Sequence, residues 1–210
     1  MNRTQVLYLA ASICLDYPDE ALLAGVPVLR AALSEHPGLG DAFEAVLDQF
    51  ESVIQGMAPL SDLQASYVQE FDLSRRHALH LSYWTDGDTR RRGEVLAGFK
   101  HQYRRAGMLV DTHGELPDYL PMVLEYAALA DPEAGRELLI RYRPSLEMLR
   151  LALLEDKLQH AHILAAICAS LPGKSPADRQ AIMQMAGLGP PTETVGLDAQ
   201  DPRLLPLRGR

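Results

Sequence analysis

The chain has 210 residues, 47% hydrophobic and 23% charged, which is the ordinary composition of a soluble globular protein of one domain. No apolar run reaches the roughly 18 residues of a membrane-spanning helix, so the sequence predicts none. The net charge of −8 is uneven, because residues 1–72 carry 2 basic and 11 acidic side chains while residues 73–110 carry 8 basic and 3 acidic. An acidic body with one basic insert argues against general nucleic-acid binding and suits a basic peptide partner.

The first twenty residues superficially look like a secretory signal, but their apolar run is short and leads directly into acidic residues. We therefore predict an amphipathic first helix, with Val6, Ala10 and Cys14 on one face, in a cytoplasmic protein. Cys14 and Cys168 lie far apart in apolar contexts. This placement favours two reduced core thiols over a disulfide or a metal site.

Helical periodicity continues along the chain, with apolar residues three and four positions apart. Such a stripe is typical of a helix that buries one face in the core. The clearest predicted core stripe consists of Phe43, Val46, Leu47, Phe50, Val53, Ile54 and Met57.

Start and stop signals divide this pattern into helices. Ser61 with Gln64 has the spacing of a capping box. Asp131–Pro132 and Ser175–Pro176 each place a capping side chain before a proline, which predicts a helix start at both sites. Gly107 stands where a left-handed C-terminal cap is expected.

Arg143–Pro144 predicts a break or kink, because proline cannot continue a helix interior. No segment alternates with period two, and no turn dipeptide joins two β-branched runs. We therefore predict an all-α fold, a single compact domain of roughly eight to ten helices over residues 1–186. Residues 187–210 mix prolines, glycines and polar residues without periodicity, which predicts a disordered tail.

Residues 67–126 hold the densest group of uncommon side chains, in YVQEFDL (67–73), YWTDGDTRRRG (83–93) and ELPDYLPMVLEY (115–126). Carboxylates, arginines and aromatic rings lie around short turns there, as they do in grooves that bind peptides. The candidate partner-binding residues are Tyr67, Phe71, Asp72, Tyr83, Trp84, Asp86, Asp88, Arg90, Arg91, Arg92, Glu115, Pro117, Asp118 and Tyr119.

The arginine run has two interpretations. If Asp88 caps a helix that starts at Thr89, then Arg90–Arg92 occupy its first turn, where cations oppose the helix dipole. Successive residues lie about 100° apart around a helix, so at least one arginine should turn toward the body of the protein. Its expected partner is one of Asp72, Asp86, Glu115 and Asp118. The alternative is a solvated charge run.

The segment ELPDYLP predicts a helix start, with Asp118 as its cap and Pro121 in its first turn. This interpretation assigns Leu120 to the core. It leaves Glu115 and Tyr119 exposed and without a structural role, so they remain candidates for binding. Trp84 is the sole tryptophan and has core packing as its alternative role.

The patterns of enzymes and metal sites are missing from the sequence. His77 and His80 could share a helix face but lack an obvious third ligand, and His160 and His162 diverge on a helix. A calcium loop at Asp86–Asp88 would need a glutamate at its twelfth position, where the chain has Ala97. Because no phosphate loop, nucleophile elbow or HExxH occurs, we predict that the protein is not an enzyme.

The segments YVQEFDL, LSYWTDGDTRRRG and ELPDYLPMVLEYAA resemble the respiratory nitrate reductase delta-subunit family, the NarJ-type molybdenum cofactor assembly chaperones. The resemblance covers roughly residues 4–186. The wider relatives, the all-helical chaperones of redox-enzyme maturation, often carry a Pro-Asp-His element. This chain has Pro117-Asp118-Tyr119 at that place, so no role of a histidine there is carried over.

The resemblance implies a cytoplasmic chaperone of nitrate respiration that is absent from the finished enzyme and has no stable membrane association. It would bind the N-terminal segment of the apo catalytic (alpha) subunit, for molybdenum cofactor and iron–sulfur insertion before membrane docking. It would hold no cofactor stably and would assist delivery of the molybdenum cofactor to its partner. Two alternatives remain: a maturation chaperone of another molybdoenzyme, and a helical DNA-binding regulator acting through Arg90–Arg92, against which the pI of about 5.3 argues.

Overall fold

The computed structural model describes residues 1–86, 90–107 and 114–186, apart from the side chains of Asp86, Arg90 and Arg91. Over these residues the chain forms eleven α-helices and no strand, which confirms the all-α prediction and adds one helix to the expected range. The helices are α1 (Arg3–Cys14), α2 (Glu20–Ser34), α3 (Glu44–Ile54), α4 (Leu60–Tyr67), α5 (Leu81–Asp86), α6 (Arg90–Arg105), α7 (Leu120–Glu125), α8 (Pro132–Arg141), α9 (Arg143–Glu155), α10 (Ala161–Ser170) and α11 (Arg179–Met185).

Four short helical turns complete the described fold. Gly40–Ala42 and Arg75–His77 form 3₁₀ turns. The other two turns, Val68–Asp72 and Tyr126–Ala130, are π-helical and continue α4 and α7 directly. A π turn widens the helix and changes the direction of the side chains that follow, and such turns are frequent at functional sites.

Two helices organise the core. Helix α1 packs against α2, α7 and α10, while α9 packs against α5, α10 and α11. Fully burying a leucine or phenylalanine side chain stabilises the fold by about 1.5–3 kcal/mol, so this apolar centre is the main source of stability. Its largest fully buried members include Tyr8, Phe43, Leu47, Phe99, Tyr103, Leu120, Leu124, Tyr126, Leu139, Leu146 and Leu149.

Three of the predicted helix boundaries are confirmed. The carboxylate of Asp131 accepts a hydrogen bond from the Ala134 amide at 3.0 Å and caps α8. Gly107 follows α6 with φ of 76°, the left-handed conformation that glycine adopts without strain. The predicted break before Pro144 lies at Tyr142, the single residue between the end of α8 and the start of α9.

Two predicted helix starts are wrong. Helix α4 begins at Leu60 without a side-chain cap, and Gln64 donates instead to the Pro18 carbonyl at 3.0 Å. Helix α11 is capped by Asp178 rather than by Ser175. The cause at the second site is tertiary, because the Pro176 carbonyl accepts a hydrogen bond from Arg150 at 2.8 Å and stays outside the helix.

The predicted stripe on α3 is buried from Phe43 to Phe50 but not at its end. Ile54 and Met57 are both exposed. Helix α3 ends at Ile54, and the chain turns away at Gly56 with φ of 71°. Ile54 is thus the last residue of the helix, and Met57 lies beyond it, where helical spacing no longer determines which side chains face the core.

Cys14 and Cys168 are free and buried, as predicted. Burial raises the pKa of each thiol to about 12. Because the thiolate is the reactive form, both groups are inert packing residues at neutral pH.

A buried ion cluster holds the loop between α10 and α11. The fully buried Glu147 accepts hydrogen bonds from Arg143 at 3.3 Å and from Arg150 at 2.6 Å. The two guanidinium groups reach on to the loop, where Arg143 donates to the Gly173 carbonyl at 3.0 Å.

Among the described residues no helix is long and apolar enough to cross a bilayer. The tail predicted for residues 187–210 lies outside the described residues.

Candidate functional site

A cleft of about 440 Å³ opens where five parts of the chain meet: residues 16–17 after α1, residues 67–72 with the π turn, residues 74–83, Arg92 of α6 and residues 115–119. We call it the tyrosine cleft, after the two phenol groups of its floor, Tyr67 and Tyr119. Half of the candidate residues line it. These are Tyr67, Phe71, Asp72, Tyr83, Arg92, Glu115 and Tyr119.

Three further candidates lie beneath or beside the cleft. Pro117 and Asp118 are buried, so neither can touch a partner directly. Trp84 is half-buried and donates from its indole nitrogen to the Ala78 carbonyl at 3.2 Å, with its ring edge-on to Tyr83. The remaining candidates fall outside the description, namely Asp88 and the side chains of Asp86, Arg90 and Arg91.

The structure adds cleft residues that the sequence did not single out: Asp16, Tyr17, Ser74, Arg75 and His80. Asp16 and Tyr17 follow α1 and lie fifty residues before the cluster, so no local pattern joins them to it. The available signal in the sequence was the tyrosine that directly follows an aspartate after the first helix, since such a pair can take part in binding. His80 was considered only as a metal ligand, and no group of three ligating side chains occurs in the part of the chain that the structure describes.

The floor of the cleft is a hydrogen-bonded pair of phenols. The hydroxyls of Tyr67 and Tyr119 lie 2.8 Å apart. Tyr67 donates its hydroxyl hydrogen to the buried Leu15 carbonyl at 3.1 Å, so the single hydroxyl hydrogen of Tyr119 is shared between the Tyr67 oxygen and the Asp16 carboxylate, which lies 3.1 Å away. Tyr119 is therefore half-buried with a structural role, which corrects the prediction of an exposed ring. Burial raises the pKa of both phenols, and for Tyr119 the neighbouring Tyr67 and Asp16 raise it further.

Asp118 caps a helix, but not the one predicted. Tyr119 holds the N-cap position of α7 without a side-chain hydrogen bond. The Asp118 carboxylate accepts instead from the Ser82 amide at 3.0 Å and the Ser82 hydroxyl at 2.5 Å, in the first turn of α5. Its backbone carbonyl accepts from the Leu81 amide at 3.0 Å. Sequence reasoning missed this cap because donor and acceptor are 36 residues apart.

Charge and hydrogen bonding set the ionisation of Asp118. Burial raises its pKa, but the nearby His80 ring and the hydrogen bonds from Ser82 outweigh burial, so the pKa lies below its ordinary value. The His80 Nδ1 atom lies 3.4 Å from one Asp118 oxygen, and its Nε2 atom lies 3.9 Å from Glu115. Asp118 thus remains a carboxylate beneath the cleft, next to the His80 ring in the cleft wall.

Two histidines brace the π turn that carries Phe71 and Asp72 to the cleft. His160, at the start of α10, lies 2.7 Å from the Glu70 carboxylate. His77 bridges the Glu70 carbonyl and the Asp156 carboxylate, with both contacts at 2.9 Å. Because α9 and α10 hold this turn from behind, the cleft wall is fixed by the packed core.

The charges and the apolar rim of the cleft suit a peptide. Asp16, Asp72 and Glu115 contribute three carboxylates to the lining, against the guanidinium groups of Arg75 and Arg92. Exposed apolar side chains stand in or beside the same segments, namely Tyr17 at 43%, Leu73 at 66% and Leu116 at 37%. Carboxylates beside an apolar rim can bind basic and aliphatic side chains together.

Two other hollows of similar volume on the described surface lack this combination. One of about 510 Å³ lies between α2 and α3, beside Arg30 and Glu44, and holds none of the candidate residues. Another of about 400 Å³ lies between α6 and α8, beside Phe99 and Arg141. Volume alone therefore does not select the site, whereas the clustering of aromatic rings and carboxylates does.

Comparison with known proteins agrees on one family. The family model described as "Nitrate reductase delta subunit" matches residues 36–164. The chain is 34% identical over 173 residues to a probable nitrate reductase molybdenum cofactor assembly chaperone NarJ of Bacillus subtilis, covering 81% of this chain and 92% of that protein. It is 31% identical over 147 residues to the nitrate reductase molybdenum cofactor assembly chaperone NarJ of Escherichia coli K12, covering 70% and 61%.

A third relative is longer. The chain is 40% identical over 163 residues to the nitrate reductase-like protein NarX of Mycobacterium tuberculosis, covering 78% of this chain but 24% of NarX, so it spans about a quarter of that protein. A crystal structure of an Archaeoglobus fulgidus protein described as a redox enzyme maturation protein superimposes with a TM-score of 0.56 and 20% identity, covering 81% and 94%. At that identity the likeness concerns the fold alone.

Proposed function

The chain belongs to the nitrate reductase delta subunit family, and on that premise we propose that it is a maturation chaperone for a respiratory nitrate reductase. It binds the N-terminal segment of the apo catalytic subunit in the tyrosine cleft. It keeps that subunit ready for molybdenum cofactor and iron–sulfur insertion, before the subunit docks at the membrane, and does not remain in the finished enzyme. The NarJ relatives are named as assembly chaperones, in line with a binding role rather than catalysis.

The observation that carries this proposal is the meeting of three carboxylates with an exposed apolar rim in one cleft. Asp16, Asp72 and Glu115 offer acceptors to lysine or arginine side chains of the client. Leu73 and Leu116 offer surface to its apolar residues. In a helical client segment, side chains three or four residues apart lie on the same face. Such a segment can therefore present basic and apolar side chains to the cleft together, as in helix-in-groove binding.

Preorganisation strengthens this assignment. The Tyr67–Tyr119 pair and the histidine contacts of Glu70 fix residues around the cleft through hydrogen bonds within the protein. A site already held in its binding geometry loses less side-chain entropy when the client arrives. The charge of −9 on residues 1–72 adds long-range attraction for a basic segment, which raises the association rate more than the affinity.

A chaperone must release its client, so we expect moderate affinity. A dissociation constant of about 1 μM corresponds to about −8 kcal/mol. The protein itself holds no cofactor stably in this proposal; the molybdenum cofactor is delivered to the client, and the chaperone's part is to keep the client receptive. The site of this work is the cytoplasm, where the catalytic subunit is made.

Isothermal calorimetry of the full chain with the N-terminal peptide of the cognate catalytic subunit tests the proposal. We expect micromolar binding that weakens at least about tenfold in Asp72→Asn/Glu115→Gln, because two carboxylates that fix the client's register are neutralised. The control, Asp62→Asn/Glu133→Gln, changes the net charge equally at exposed positions away from the cleft and should bind as the unmodified chain does.

Two outcomes would redirect this assignment. Equal weakening in both double variants would mean that only net charge attracts the peptide, without a site in the cleft. Tighter binding of the N-terminal peptide of a different molybdoenzyme would keep the chaperone role and change the client. Co-purification of the catalytic subunit with the tagged full chain, from cells grown on nitrate, gives the corresponding observation in the cell.

A further inference from the structure

The last eight residues of the chain, RLLPLRGR (203–210), have the chemistry that the tyrosine cleft would select. They contain three arginines and three leucines and no acid, whereas residues 187–202 contain three acids and no basic side chain. Basic and aliphatic character is thus concentrated at one end of the tail.

The cleft offers a matching set of groups. Asp16, Asp72 and Glu115 are three carboxylates for three arginines, while Leu73 and Leu116 provide exposed apolar surface for the leucines. Arg75 and Arg92 also line the cleft, so a net attraction requires the arginines of the segment to lie toward the carboxylates. The charges of residues 203–210 therefore have counterparts in the lining, and their leucines have counterparts in exposed side chains that directly follow lining residues in sequence.

Two ion pairs connect α11, the helix that precedes the tail, to the segment that contributes Arg75 to the cleft wall. Arg179, the first residue of α11, donates to Glu155 at 2.8 Å, and Arg76 donates to the same carboxylate oxygen at 2.7 Å. Arg76 directly follows Arg75, which lines the cleft. One carboxylate thus joins the start of α11 to the cleft wall, and the seven residues of α11 extend only about 10 Å beyond it.

Residues 187–202 number sixteen, so the chain between α11 and residue 203 can reach at most about 55 Å. When the span of a linker matches the separation of the two sites, the effective concentration reaches about 1 mM. At that concentration a segment with an intrinsic dissociation constant of about 0.1 mM occupies its site about nine-tenths of the time.

We propose that residues 203–210 bind in the tyrosine cleft of their own chain and compete there with the client's N-terminal segment. This inference rests on the proposed function of the cleft. The internal segment raises the affinity that an incoming peptide needs, so weak basic peptides are excluded and the client displaces the tail. It also covers the apolar rim while no client is bound.

The test compares three forms of the full chain in calorimetric titrations with the client's N-terminal peptide. Leu204→Ser/Leu205→Ser/Leu207→Ser removes the apolar contacts of the segment without changing charge, and it should bind the client about tenfold more tightly than the unmodified chain. The control, Leu188→Ser/Val195→Ser/Leu197→Ser, alters the same tail outside the segment and should match the unmodified chain. Equal affinity in all three forms would overturn the internal competitor and leave the proposed function standing.

A second measurement does not depend on the client. A synthetic peptide of residues 200–210 is added to the Leu204→Ser/Leu205→Ser/Leu207→Ser chain, and the fluorescence of Trp84, the sole tryptophan, is followed. Its indole hydrogen bonds to Ala78, which lines the cleft, so filling the cleft should change its emission. We expect saturation at sub-millimolar peptide and at least tenfold weaker binding in the background of Asp72→Asn/Glu115→Gln. No change up to millimolar peptide would overturn the inference.

Dilution separates the chain's own tail from that of a second copy. Competition within one chain does not depend on protein concentration, so the tenfold difference should persist when the protein is diluted tenfold. A difference that disappears on dilution would assign the competing segment to another molecule and overturn the proposal. If the synthetic tail binds while no form binds the client peptide, the client assignment fails and the cleft remains a site for residues 203–210.

Discussion

Tyr67 and Tyr119 share a hydrogen bond of 2.8 Å although they are 52 residues apart in the chain. Tyr67 ends α4, and Tyr119 precedes α7. Their other partners, the Leu15 carbonyl and Asp16, follow α1. Three distant segments therefore form the floor of the cleft, and the floor exists only in the folded chain.

Removing either phenol hydroxyl should destabilise the protein, but not equally. Tyr67→Phe leaves the buried Leu15 carbonyl without its partner and should lower the free energy of unfolding by about 1–3 kcal/mol. Tyr119→Phe should cost about 1 kcal/mol or less, because Asp16 is exposed and water replaces the hydroxyl. Urea unfolding at pH 7 measures both values, and a larger loss in Tyr119→Phe would contradict this ranking.

Alkaline pH should destabilise the protein through the same phenols. Their pKa is raised in the folded state, whereas in the unfolded chain they ionise near about 10. The stabilisation is therefore fully present below about pH 10 and is lost as the pH rises above it. Urea midpoints measured from pH 8 to 11 should fall less steeply in Tyr67→Phe/Tyr119→Phe than in the unmodified chain. Parallel curves would show that these phenols do not contribute.

Asp118→Asn should lower the free energy of unfolding by about 1.5–3 kcal/mol, the range for hydrogen bonds to a charged group. The substitution removes the charge that accepts from the Ser82 amide and hydroxyl at the start of α5. The matched control is Glu115→Gln, a half-exposed carboxylate three residues earlier, which should change stability by less than about 0.5 kcal/mol. Unchanged stability in Asp118→Asn would contradict the role of Asp118 as the cap of α5.

Acid should remove the contribution of Asp118. Its pKa is lowered in the folded state, while an unfolded aspartate titrates near about 3.9. The stabilisation is present above that value and is lost as the pH falls below it toward the folded pKa. Thermal unfolding between pH 5 and 3 should therefore show a shallower loss in Asp118→Asn. A steeper loss in that variant would contradict the sign of the shift.

Glu147→Gln should destabilise the fold by about 3–5 kcal/mol, because Arg143 and Arg150 would remain buried without their counter-charge. Glu155→Gln is the surface comparison. Glu155 pairs with Arg76 and Arg179 but is about half-exposed, so its loss should cost about 1 kcal/mol or less. Chemical denaturation of the two variants measures the contrast. Similar costs would mean that the buried cluster is no more important than a surface pair.

Local signals in the sequence predicted local structure well. The periodicity of Phe43–Phe50 and the proline after Asp131 each reflect interactions within a few residues, and both predictions are confirmed. The predicted cap at Ser175 failed where a tertiary contact, Arg150 to the Pro176 carbonyl, decided the backbone. The cap at Asp118 failed for the same reason, since its donors lie on α5.

The sequence by itself determined the helical class, most of the core faces, the two inert thiols and the group of side chains from which half of the cleft lining comes. Each of these depends on neighbours within one or two helical turns, where spacing along the chain determines spacing in space. Tertiary structure alone brought Asp16 and Tyr17 beside Tyr67 and Tyr119, and turned Asp118 inward to cap a helix 36 residues away. Such contacts arise only when packing of the core brings distant segments together, and no local pattern records them.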